Sequence, residues 1–369
     1  MKRRSFVKAL SIVGFVGFVG GNFAFFNSMR KKRQELHLAP AEDDVDVVSI
    51  AFSFDSSRLA SVTADGLLSI WDPATGNRLS TVPAGHSGTF TGISFLSKDS
   101  WLATAASGDR AVKFWNHGEE RETASVAFES SPSCIAFRPA SNSITGIDII
   151  AVSLADHSIR ILENNEIKRM SAMQGQADMT EYLSSIFVEN VVLKDHVDSV
   201  NSICFSRDGA LLASASDDRT IRIWNMNTST LPELTVTLRG HEGAVNSVSF
   251  SPDSRRLASA STDGTIMIWD PHSGAQLGVL RGDSGPVHIT AFGPDSNWLA
   301  STCTDKTTIL WSLEEEFRQG LRLPNNPGKH DAIDFSVDGR YFASAWGKDV
   351  RFWQASELVS ESTRNLSRT

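Results

Sequence analysis

The stretch LASASTDGTIMIWD, Leu257–Asp270, decides how this chain is read. It opens on small residues alternating with hydroxyls, turns tightly through Asp263 and Gly264, and closes on the β-branched run that ends in Trp269. The same sentence returns as LASASDDRTIRIWN, Leu212–Asn225, and as LASVTADGLLSIWD, Leu59–Asp72. Trp71, Trp115, Trp224, Trp269, Trp311 and Trp353 end such phrases, and Leu162 takes the Trp place in a seventh, weaker copy. Self-similarity at about forty-four residues is the mark of an array of small sheets, each too small to bury its apolar face alone.

Working outward from Leu257, Val245–Phe250 alternates like a half-buried strand and residues 251–254 form a turn signal. Ala275–Leu280 follows as an outer strand. Gly240-His241 near the start and Trp269-Asp270 near the end make this unit resemble a WD40 repeat. The resemblance covers roughly residues 34–355. It implies an all-β fold, a seven-bladed β-propeller of four-stranded antiparallel blades, and a rigid disc that holds partners together rather than a particular reaction.

Charge is unevenly placed along the 369 residues. Residues 1–33 hold eight Lys or Arg and no acid, leaving 27 basic against 43 acidic residues in the remainder. A body this acidic repels phosphate backbones, so nucleic acid is not an expected partner. Cys134, Cys204 and Cys303 lie in strand phrases without metal-ligand spacing and read as free thiols.

The N-terminus reads as a separate device, residues 1–33. A basic start precedes an apolar, glycine-punctuated run from Ala9 to Phe26, expected as a hydrophobic helix that signals or anchors. Arg3, Arg4, Phe6 and Lys8 resemble the twin-arginine export signal, an address read by a receptor. No Ala-x-Ala cleavage phrase follows, and Arg30–Arg33 places a second basic cluster beyond the run. The expectation is membrane association, on the exported, periplasmic side, with a cytoplasmic-face anchor as the alternative.

Three further features complete the walk. Gln34–Ala39 is placed to supply the outer strand of the last blade, because residues 356–369 form a polar tail poorly suited to one. Leu162 to Trp224 spans 62 residues where neighbouring steps span 42 to 47, so an insertion is expected at about 164–189. It carries Tyr182, a candidate partner contact, as is Trp346 near a rim turn beside blade 7.

His, Ser and Asp recur together as in a hydrolase triad. The family resemblance implies a structural tetrad inside each blade instead: His241, Ser259, Asp263 and Trp269; His196, Ser214, Asp218 and Trp224; His86, Thr104, Asp109 and Trp115. Repetition favours this account, since an enzyme needs one triad and not several around a ring. Blade 1 lacks the His, blade 6 has Asp283 there, and blade 7 has Gly347 where the Asp is expected. No phosphate loop or metal-binding phrase is present, so the expectation is a non-enzymatic scaffold with protein partners, no cofactor, no metal and no small-molecule substrate. A structural subunit of a membrane complex is the alternative, ahead of an enzyme using the propeller channel.

Overall fold

A computed structural model describes residues 36–38, 45–96, 101–116, 121–139, 149–164, 187–227, 231–282, 285–305, 307–313, 318–323, 330–356 and 358. Among them, twenty-eight strands form seven four-stranded antiparallel sheets. Each blade opens on an inner strand: Val47–Phe52, Phe90–Phe95, Pro132–Phe137, Val200–Phe205, Val245–Phe250, Val287–Phe292 and His330–Phe335. Each inner strand packs against the next, and the seventh packs against the first, closing a ring.

The ring closes because each blade is apolar on both faces. In blade 5, Val245, Val248 and Phe250 face Leu211, Ala213, Ile221 and Ile223 of blade 4 in one buried cluster. Ala258, Ala260, Ile266 and Ile268 face Phe292, Leu299 and Ile309 of blade 6 in another. Every inner strand ends on a buried Phe, so Phe52, Phe95, Phe137, Phe205, Phe250, Phe292 and Phe335 form a band around one end of the central channel. Burying a Phe side chain contributes about 1.5–3 kcal/mol, and the band does this in all seven blades.

The fourth strand of blade 7 comes from the start of the chain. Leu36–Leu38 pairs antiparallel with Asp349–Gln354, Leu36 opposite Phe352 and Leu38 opposite Val350. The strand expected within Gln34–Ala39 is therefore seen, three residues long.

Two boundaries change. Phe187–Leu193 is the outer strand of blade 3, with Phe187 opposite Asn164. Phe187 to Glu189 thus belong to the blade rather than to the insertion, because their backbone groups are consumed in the ladder. The tail is also apolar where it leaves the ring, as Ala355 and Leu358 are buried in one cluster with Trp298, Phe335 and Trp353. Residues 1–33, with the expected helix and the twin-arginine phrase, lie outside the described residues, as do Tyr182 and residues 165–186. No described helix is long and apolar enough to cross a membrane.

Candidate functional site: the polar networks and the faces they hold

The three complete tetrads are built alike. The imidazole precedes the inner strand, the hydroxyl lies on the second strand, the carboxylate sits in the turn after it, and the indole stands on the third strand. In blade 5, His241 Nδ1 is 2.9 Å from Asp263 Oδ2 and Nε2 is 2.7 Å from Ser259 Oγ. Trp269 Nε1 donates to Ser259 Oγ at 2.8 Å. Blade 4 repeats this with His196 to Asp218 at 2.7 Å, His196 to Ser214 at 2.8 Å and Trp224 to Ser214 at 3.1 Å. Blade 2 does so with His86 to Asp109 at 2.7 Å, His86 to Thr104 at 2.9 Å and Trp115 to Thr104 at 2.9 Å.

The bonds run in one direction. The indole N–H fills one lone pair of the hydroxyl, and the hydroxyl proton points to Nε2. Nδ1–H then points to the carboxylate, which sets one neutral tautomer. Burial lowers the pKa of His241 and His196 against the opposing pull of their Asp partners, which keeps both rings neutral. The hydroxyls of Ser259 and Ser214 are fully buried and bonded on both sides. A nucleophile needs an open path to substrate, and these have none.

The other blades keep fragments. Trp71 donates to Ser61 at 2.9 Å and Trp311 to Ser301 at 2.8 Å. Blade 3 loses both ends together: Leu162 replaces the indole, and Phe128 stands four residues before Pro132, as His241 stands before Val245. Both join one apolar cluster, while Ser153 bonds Ser133 at 2.9 Å instead. Trp346 ends a second strand, opposite His330 and Asp349. Its side chain lies outside the described residues.

Two sets of inter-blade bonds escape the sequence reading. In each inner strand the N–H groups of the fourth and sixth residues point away from the second strand, along the channel edge. Short side chains of the preceding blade cap several of them: Ser202 Oγ accepts from Val248 N at 3.3 Å, Ser247 Oγ from Thr290 N at 3.2 Å, and Ser249 Oγ from Phe292 N at 3.2 Å. At the seam, Asp334 Oδ2 accepts from Phe52 N at 2.9 Å. The second set joins the turns that follow the inner strands. Asp208 N donates to Ser254 Oγ, Asp253 N to Ser296 Oγ and Asp338 N to Ser56 Oγ, at 3.0–3.3 Å. Ser56, Ser254 and Ser296 hold φ values of 58–63°, where Gly209 and Gly339 stand in blades 4 and 7. The recurring Ser-x-Asp-Ser or Ser-x-Asp-Gly phrase, Gly-Pro-Asp-Ser in blade 6, was the available signal.

A family model described as "WD domain, G-beta repeat" matches residues 35–72, 76–116, 188–225, 232–270 and 274–312, more than half of the chain. The chain is a member of the WD40-repeat family. Each match ends at or just past the third strand of a blade and begins at or ahead of the outer strand of the blade before, so repeat and blade are offset. The first match accordingly contains Leu36–Leu38, the strand that closes blade 7.

The chain is 30% identical over 207 residues to Protein HIR1 of Gibberella zeae, a match covering 50% of this chain and 19% of that protein. It is 29% identical over 189 residues to Striatin-4 of Homo sapiens, covering 50% and 22%. The chain thus spans about a fifth of the length of these relatives. A chain in the crystal structure of the Mitotic Checkpoint Complex superposes with a TM-score of 0.70 at 17% identity, over 96% of this chain and 99% of that one, a likeness of fold alone.

Proposed function

We propose that this propeller is a non-catalytic platform for protein partners, engaged on the face that carries the His–Asp turns. The observation that carries the proposal is how the polar groups are used. The three tetrads are consumed in internal bonds, which leaves the loops above them rigidly held but free to vary. On blades 4 and 5 those loops present Val197, 81% exposed, beside exposed Asp198, Asp217 and Glu242. The Val197 and Glu242 amides are tied to the tetrad carboxylates Asp218 and Asp263, which holds the backbone at both positions and lowers the ordering cost of binding. An apolar tip among carboxylates suits a basic segment with one buried aliphatic or aromatic side chain. Occurrence of the same fold within an assembly, the Mitotic Checkpoint Complex, is in keeping with such a role.

The test compares affinity capture by wild type, by Val197→Arg/Glu242→Arg, and by Arg255→Glu on the opposite face. Loss of the same captured proteins only in the first variant, at an unchanged melting curve, supports the platform; identical capture by all three rejects this face. The export reading of Arg3, Arg4, Phe6 and Lys8 is a separate proposal resting on sequence alone. A C-terminal tag accessible to protease in wild-type spheroplasts and shielded in Arg3→Lys/Arg4→Lys supports it. A tag shielded in both ends it.

A further inference from the structure

At the end of the central channel ringed by phenylalanines, the inner strands of blades 2 to 5 line an open cavity of about 350 Å³. That volume suits a small ligand. Phe137, Phe205 and Phe250 from the band line it, with Phe54 and Pro252 from the adjoining turns. Among the described residues its one charged lining residue is a cation, Arg207, in a propeller whose balance is strongly acidic. Arg207 is exposed at the rim, and no carboxylate pairs with it among the described residues.

A second observation points to the same ligand charge. The inner-edge N–H of the sixth residue is capped by the preceding blade at Phe292, through Ser249, and at Phe52, through Asp334. Phe205 is the sixth residue of its strand, and the residue of blade 3 at the capping position is Ala136, which offers only a methyl group. Ala136 and Phe205 both line the cavity. By the strand register the Phe205 N–H points to this inner edge, and among the described residues no side chain accepts from it. A buried donor left unpaired costs about 1–3 kcal/mol, which an acceptor on a ligand would recover.

We propose that this channel mouth binds a small apolar anion: an aryl or aliphatic tail among the phenylalanines, and a carboxylate or sulfonate that accepts from Phe205 N–H and pairs with Arg207. Binding is non-covalent. Burial raises the pKa of the Cys204 thiol in the wall, so it stays protonated and serves as an apolar contact. Asp334 occupies the capping position of blade 7 and is not part of the lining. The sequence alone offered no small-molecule site, because Ala51 and Ala291 hold the same position in blades 1 and 6 and only Ala136 lines the cavity.

The experiment titrates the full chain with 1-anilinonaphthalene-8-sulfonate and with its uncharged relative N-phenyl-1-naphthylamine, reading fluorescence. The expected result is saturable binding of one anion per chain. Arg207→Gln, a surface change, should weaken the sulfonate at least fivefold while leaving the neutral probe unchanged. Ala136→Ser, which restores the cap that Ser249 supplies elsewhere, should weaken the sulfonate as well. Absence of saturable binding, several sites per chain, or equal sulfonate affinity in wild type and Arg207→Gln overturns the proposal. The Arg207 variant decides the matter even if Ala136→Ser disturbs folding.

Discussion

Asp263 accepts four hydrogen bonds, from His241 Nδ1, Glu242 N, Thr265 N and Thr265 Oγ1. Burial pushes its carboxyl upward, but these bonds outweigh that and hold it at about 2, below the ordinary 3.8. A carboxylate with a depressed folded pKa stabilises the fold above its unfolded value and loses that contribution as pH falls toward 2. His241, kept neutral by burial, adds in the same direction below its ordinary 6.5. Asp263→Asn should therefore cost about 1–3 kcal/mol at pH 7 and flatten the acid limb of the stability curve. Urea denaturation between pH 2 and 7 checks both, and an acid limb identical to wild type rejects the account. Asp334 behaves oppositely. Burial raises its carboxyl to about 7 despite bonds from Phe52 N and Phe335 N. Its contribution is full below about pH 4 and drains as pH rises through about 7. Asp334→Ser, which keeps an acceptor without the charge, should raise the melting temperature at pH 8 and leave it nearly unchanged at pH 4. No difference between the two pH values counts against it.

The turns after the inner strands explain both what was legible and what was not. Ser259 and Asp263 stood out in the sequence because they recur at fixed offsets from two rare types, His241 and Trp269. Ser254 did not, because serine is common in turns of every kind and its role depends on a neighbouring blade. It accepts the φ cost of a left-handed residue, about 1–2 kcal/mol, while capping Asp208 N. Ser254→Ala keeps the strain and loses the bond, so a destabilisation of about 1 kcal/mol is expected. Ser254→Gly loses the bond but relieves the strain and should lie closer to wild type. Chemical denaturation of both variants tests the order, and alanine equal to or better than glycine contradicts it. Blade 3 makes a related point. The sequence shows Leu162 in place of the Trp and no Gly-His ahead of the blade, but only the packed cluster shows Phe128 filling the vacated place beside Leu162.

At the scale of the whole molecule, the seam between blades 7 and 1 relies on more than apolar contact. Phe52 N bonds Asp334, Asp338 N bonds Ser56, Val47 N bonds Gly347 O, and Leu36–Leu38 completes the last sheet. Replacing Leu36–Leu38 by Gly-Ser-Gly should uncover the edge of Asp349–Gln354, reduce unfolding cooperativity and speed proteolysis of blade 7 ahead of the rest. Uniform proteolysis at the wild-type rate would show that the strand is dispensable. The ring itself was legible from its period, whereas residues 1–33, the insertion at 165–186 and the Trp346 side chain lie outside the described residues.

The borrowed strand also sets a clock. Leu36–Leu38 leaves the ribosome long before its partner strand Asp349–Gln354 has been made, so the last sheet cannot form during most of synthesis. At roughly 5–20 residues per second, the wait is on the order of 15–60 s. Throughout it the nascent chain carries an unpaired strand at one end and an uncovered blade face at the other. The ring therefore closes only after blade 7 has been made, and the interval before closure is when a chaperone or a competing sheet edge has its opportunity.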